Sequence, residues 1–157
     1  MQKTVNLYPC AGLPGQEVSA KTAVYTPLNY ISDGSVAAGS FAFAGEAQGN
    51  KKGVAFPVAS AKGEALLGLV ERTFTASIPM GVDGSTTYHN GAELTIAVRG
   101  DFYIEATGEA TVGQKVLVDK TTGVISFGEA SGNAIDTGWT VVTAAAEAGD
   151  IIVITRR

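Results

Sequence analysis

Cysteine, histidine and tryptophan each occur once in these 157 residues. A single thiol, Cys10, excludes an internal disulfide. Its sequence neighbours Tyr8, Pro9, Ala11 and Gly12 offer no base or cation that would activate it. Zinc takes three or four His, Cys or carboxylate ligands, and His89 and Cys10 lie far apart, so no metal site is expected. Charge is also sparse. Asp, Glu, Lys and Arg make up 17% of the chain, against about 25% in an ordinary globular domain. Eleven basic and fifteen acidic residues leave a net charge of −4. Phosphate recognition needs clustered Lys and Arg. The only basic doublets, Lys51-Lys52 and Arg156-Arg157, read as a solvated loop and a solvated tail, so nucleic acid is not an expected partner. No apolar run approaches the ~20 residues of a membrane helix, and no membrane partner is expected. The opening Met-Gln-Lys-Thr-Val-Asn lacks the apolar segment of a signal peptide. The expectation is a protein made in the cytoplasm and kept there until assembly.

What the chain does contain is small residues and alternation. Twenty glycines and many Ala, Thr and Val residues give a weakly polar surface suited to packing against other proteins. At this length one domain buries roughly 70% of its unfolded surface and needs no cross-link to hold a core. The clearest pattern runs from Glu93 to Phe127. Leu94, Ile96 and Val98, then Phe102 and Ile104, then Val116 and Val118 alternate with other residues, and a last run starts at Val124. Period-two alternation is the signature of a strand with one buried face. Phe41 and Phe43 share one side of a short strand. Val54 to Val58, Leu66 to Ile78, Trp139 to Val142 and Ile151 to Ile154 read as further strands. Val18, Ala20, Thr22 and Val24 alternate in a strand ending near Pro27. Asp33-Gly34, Asp83-Gly84 and Asp119 to Gly123 are turns. Asn90-Gly91 reads as a hairpin turn with positive φ at both positions. Gly45 to Gly53 is a polar loop. Ten to twelve strands with regular turns predict an all-β fold, a small antiparallel β-barrel or sandwich.

The first 17 residues differ. Pro9 and Pro14 oppose helix, and short apolar pieces separate them from the glycines. They read as an extended N-terminal arm (1–17), with one short strand at Thr4 to Leu7, on a single all-β domain (18–157). Val5, Leu7, Tyr8, Pro9, Leu13 and Pro14 have nothing within the arm to bury against, so they are the candidate partner-binding residues.

No constellation points to catalysis. His89 precedes a turn and reads as an exposed or partly packed imidazole. Asp101, Glu105 and Glu109 are near one another, but glycosidases line their paired acids with aromatics and donors, and only Tyr103 is close. Asp119 to Gly123 is shorter than a calcium loop and lacks its distal Glu. The glycine-rich stretches lack the Lys-Ser or Lys-Thr and the strand-to-helix setting of a phosphate loop. No catalytic residue and no cofactor is assigned. Trp139 reads as a core or inter-subunit anchor, with sugar stacking as the other use.

Several phrases resemble the cement or head-decoration proteins of tailed bacteriophages. They are Val98-Arg99-Gly100-Asp101-Phe102, Ala110 to Asp119, Thr122-Gly123-Val124-Ile125, Gly138-Trp139 and Ala148 to Ile154. Ala38-Gly39-Ser40-Phe41 and Leu67-Gly68-Leu69-Val70 echo them upstream, so the resemblance spans about residues 36–157. It implies a structural virion protein on the outer surface of the capsid, bound to the major capsid protein. It also implies stabilisation by bridging capsomers and a homo-oligomer, with a trimer favoured. Two other readings stay open. One is a carbohydrate- or receptor-binding β-domain of a phage tail or surface protein, using Trp139, Tyr103, Tyr88 and Tyr25. The other is a nucleotide hydrolase on a trimeric β scaffold, for which the sequence offers no acid cluster.

Overall fold

A computed structural model describes residues 12–18, 23–46, 48–49, 55–73 and 86–157. These residues hold thirteen strands and no helix. They are β1 (Val24–Tyr25), β2 (Tyr30–Ser32), β3 (Phe41–Ala44), β4 (Gln48–Gly49), β5 (Ala55–Phe56), β6 (Val58–Ser60) and β7 (Leu66–Val70). They continue with β8 (Glu93–Leu94), β9 (Ile96–Glu105), β10 (Lys115–Asp119), β11 (Ile125–Phe127), β12 (Ala134–Val141) and β13 (Ile151–Arg156). Eleven form one sheet in the order β11-β10-β12-β13-β9-β7-β3-β6-β2-β8, with β1 added on β9; β4 and β5 pair separately. The sheet does not close on itself. Of the two architectures that the alternation allows, the fold is sandwich-like. It is also mixed, because β2 and β6 run parallel, while the other pairs among the described residues are antiparallel.

Ring contacts show how far the sheet curls. β3 and β12 are four steps apart in it. At the usual strand spacing a flat sheet would separate them by about 19 Å. Yet Phe41 of β3 and Trp139 of β12 meet edge to face at 6.4 Å, and Phe102 of β9 meets the same indole at 5.9 Å. The first core closes around these rings with Phe43, Leu69, Ile104, Val116, Val118, Ile125, Ile152 and Ile154. A second core holds Val36, Ala38, Ala42, Ala59, Val70, Tyr88, Ala92, Leu94 and Ile96. Four of its nine members are alanine, which lets the backbones approach closely. Phe41 and Phe43 face one core and Ala42 the other. Leu69 and Val70 divide in the same way. The central strands are thus buried on both faces and read as continuous apolar runs.

Several local expectations shift. The strand ending near Pro27 is β1 alone among the described residues, and Val18 and Val24 lie 39% and 49% exposed, so their face points outward. Val124 is 54% exposed and β11 starts one residue later, at buried Ile125. The reason is the length of the preceding turn. Asp119 Oδ1 accepts the Thr121 and Thr122 amides, and the Gly123 amide returns to the Asp119 carbonyl at 2.7 Å. A hydrogen bond from the Thr121 side chain, then those from the Thr121 and Thr122 amides, hold the Asp119 carboxyl below its ordinary range. In the Asn90-Gly91 turn, only Gly91 has positive φ (83°). The polar loop at 45–53 contains β4, paired with β5. The Thr4–Leu7 strand, Asp83-Gly84 and the end of the Leu66 to Ile78 strand lie outside the described residues.

Trp139 points inward beside a bulge in β12. Val116 faces Trp139 and Leu117 faces Asp136, so Thr137 and Gly138 are inserted in β12. An insertion of two residues preserves the face, and Ile135, Thr137, Trp139 and Val141 all point inward. Thr137 is 2% exposed. Its hydroxyl donates to the Val116 carbonyl (2.7 Å) and accepts the Trp139 amide (3.2 Å). Replacing Thr137 with valine leaves both backbone groups buried without that partner and is expected to cost about 1–3 kcal/mol. Thr137→Ser keeps the hydroxyl and should cost clearly less. Urea denaturation of the two variants measures the difference.

Candidate functional site

Residues 12–18 do not leave the body as a loose arm. Leu13-Pro14-Gly15-Gln16 is a β-turn closed by the Gln16 amide on the Leu13 carbonyl (2.9 Å). Proline at its second position and a positive-φ glycine (82°) at its third are the type II arrangement. The signal for this turn is local, in Pro14-Gly15. The turn is then strapped onto the sheet. Gly15 N donates to Tyr103 O (2.8 Å), Tyr103 N to Gln16 O (3.0 Å) and Val18 N to Asp101 O (2.8 Å). On its other side Arg72 N donates to Gly15 O (2.8 Å) and Arg72 Nε to Pro14 O (2.9 Å). The strap therefore ties β9 to the residues that follow β7.

Of the six candidate partner-binding residues, Val5, Leu7, Tyr8 and Pro9 lie outside the described residues. Leu13 is 53% exposed on the turn. Pro14 is half-buried and packs on Gly39. Beside the strap, the Tyr25 hydroxyl donates to Glu71 Oε1 at 3.3 Å. Burial, then the charge of Glu71, pushes the Tyr25 phenol well above its ordinary value. Burial also raises the Glu71 carboxyl; the bond from Tyr25 opposes that rise, and the charge of Glu17 adds to it.

The side chains examined for chemistry disperse. Trp139 is fully buried and Tyr88 is 4% exposed. The Tyr88 hydroxyl donates to Glu71 O (2.8 Å) and accepts the Thr73 amide (3.2 Å). Two of the four aromatics that would build a sugar platform are thus structural. Tyr103 packs its ring over Gly12. His89 is exposed beside its turn. Asp101 faces Thr155 and Glu105 faces Ile151 along the β9–β13 ladder. Among the described residues no three His, Cys, Asp or Glu side chains gather to hold a metal. What the surface offers is apolar. Leu13, Val18, Val24, Tyr25 and Leu28 are five of the eight large apolar side chains left most exposed among the described residues, and all lie within one stretch of the chain.

A family profile described as "XM1 gp53 minor capsid protein" matches residues 1–156. A chain in the solved capsid of Myoviridae phage XM1 superposes with a TM-score of 0.67 at 11% identity, over 99% of this chain and 96% of that one. At that identity the likeness is one of fold. No curated protein matches.

Proposed function

The chain belongs to the XM1 gp53 minor capsid protein family, and from that premise we propose that it binds the outside of an assembled phage capsid and stabilises the shell by bridging capsomers. The observation that carries the reading is the match over residues 1–156, which takes in the strap as well as the sheet. The capsid association that the family name states is brought here to this chain as a virion component. Its partner in this reading is the major capsid protein, and it acts as a homo-oligomer, with a trimer favoured. In this reading Val5, Leu7, Tyr8, Pro9, Leu13 and Pro14 of the 1–17 segment are the contacts with that partner. An extended segment can add a strand to a neighbour's sheet edge, where backbone hydrogen bonds supply affinity and alternate side chains supply specificity. Because the shell repeats one site many times, modest contacts act together.

The stabilisation is linkage. A protein that binds only the assembled shell lowers the free energy of that state, by about 2.7 kcal/mol per site when its free concentration is 100 times its Kd. Undecorated, expanded heads mixed with purified protein are expected to melt at a higher temperature and to survive osmotic shock better. Heads that bind none of it overturn the reading. Removing residues 1–11, which leaves the strap in place, is expected to weaken binding at least ~10-fold, a loss of about 1.4 kcal/mol. The melting temperature of the free protein should stay the same. Equal affinity for the truncated chain removes the arm from the mechanism.

A further inference from the structure

We propose that Asn90 is a site of spontaneous deamidation, and that the hydrogen bond from the Gly91 amide to the Ser32 carbonyl sets how fast it reacts. The inference does not rest on the capsid reading. Of the five asparagines in the chain, Asn90 alone is followed by glycine. In this reaction the backbone nitrogen of the next residue attacks the side-chain amide carbon. A Cβ on that residue crowds the approach, and glycine has none. The step needs no reagent but water. Gly91 N bonds Asn90 Cγ, the Cγ–Nδ2 bond breaks, and the proton lost by Gly91 N leaves with Nδ2 as ammonia. Water then adds across one of the two C–N bonds of the cyclic imide. Opening at Cγ leaves aspartate. Opening at the backbone carbonyl leaves isoaspartate, with an extra carbon in the main chain. Nothing is oxidised or reduced.

Two effects compete at this turn. Space favours the reaction: Asn90 and Gly91 are both exposed, and nothing lies within 4 Å of a Cβ built on Gly91. Hydrogen bonding opposes it. The Gly91 amide donates to the Ser32 carbonyl at 2.8 Å, and the Ser32 amide donates to the Ala92 carbonyl at 2.8 Å. The Ala92 amide closes the turn on the His89 carbonyl at 3.1 Å. The proton that must leave is therefore the one that Ser32 holds. Ser32 is fully buried, so releasing that proton strands a buried carbonyl. Its hydroxyl is fixed as well, donating to Tyr88 O (3.2 Å) and accepting the Gly34 amide (2.9 Å). The turn has the composition and the room to react, and the reaction waits for local opening of the β2–β8 edge.

The product matters to the fold. The turn joins Tyr88 to Ala92 and Leu94, all members of the second core. An extra main-chain carbon between Asn90 and Gly91 breaks the match between the turn and Ser32. The isoaspartate form should therefore melt below wild type. Asn90→Asp adds only the charge at an exposed position, and should melt within ~2 °C of wild type.

The test uses the full chain, incubated at mildly alkaline pH in buffer and in urea above its unfolding transition. Peptide mapping by mass spectrometry measures aspartate and isoaspartate at position 90, and hydrogen exchange reads the Gly91 amide in the native arm. Unfolded protein should convert Asn90 faster than Asn6, Asn29, Asn50 and Asn133. Native protein should convert it at least ~10-fold more slowly, and its Gly91 amide should be protected from exchange by a similar factor, because both need the same opening. Equal rates in the two arms overturn control by the fold. A slow native reaction beside a freely exchanging Gly91 amide overturns the role of the Ser32 bond. An Asn90 that reacts no faster than the other asparagines when unfolded overturns the site itself.

Discussion

Replacing Trp139 with alanine is expected to destabilise the protein by about 3–5 kcal/mol, lowering the melting temperature by roughly 6–20 °C. The indole is fully buried where the curled sheet meets itself. Phe41 and Phe102, from two other strands, pack their rings against it edge to face. Such geometry adds to the burial term by setting ring edges against a π face. Alanine would open a cavity bordered by three strands whose backbones are fixed by ladders on either side, so the site has little freedom to collapse. Trp139→Phe is the informative companion. Among the described residues the buried indole Nε1 has no hydrogen-bond partner, so phenylalanine gives up no hydrogen bond made there. Its cost should be smaller, about 1–2 kcal/mol. Thermal melts with near-ultraviolet circular dichroism read both variants. A Trp139→Ala protein as stable as wild type would mean that the rings do not organise this core.

Alanine at Gly39 is expected to cost roughly 2–5 kcal/mol, because two penalties coincide there. The backbone is left-handed, with φ of 78°. A Cβ would also lie 2.7 Å from both the Gly15 nitrogen and Pro14 Cβ, and backbone cannot swing aside as a long side chain can. Gly15 is the mirror case: its φ is 82°, and a Cβ there would meet the Gly39 nitrogen at 2.6 Å. The two glycines therefore let the strap's turn sit directly on the Ala37 to Ser40 turn. Gly91 separates the two penalties. Its φ is 83°, but nothing lies within 4 Å of a Cβ built there, so Gly91→Ala should cost only the conformational part, about 1–2 kcal/mol. The excess loss at Gly39, measured by urea denaturation of the two variants, is the contribution of strap docking. Equal losses at Gly39 and Gly91 would show that the close approach carries no energy.

The strands were legible wherever one face is wet. In β9 the alternation of Phe102 with Ile104 marks the buried positions. The turn at Asp119 was legible because its side-chain acceptor and its glycine are local chemistry. The arm was only half legible. Its prolines exclude helix, but the same Pro14-Gly15 pair builds a turn that docks on Gly39, a residue 24 positions beyond Gly15 whose proximity no local pattern encodes. Trp139 shows the same division. Its sequence context places it in a strand, but cannot say whether its ring meets a sugar, a neighbouring subunit or, as it does, Phe41 and Phe102.

The sequence by itself determined an all-β chain of low charge, because periodicity and turn residues are properties of short stretches. Only the tertiary structure decided that the sheet stays open yet curls until β3 meets β12. It alone decided that β2 and β6 run parallel, and that Val18 and Val24 face outward. Those outcomes depend on which distant strands pair and which of two faces the body covers. A period of two fixes that a strand has two faces; the rest of the chain chooses which one is dry.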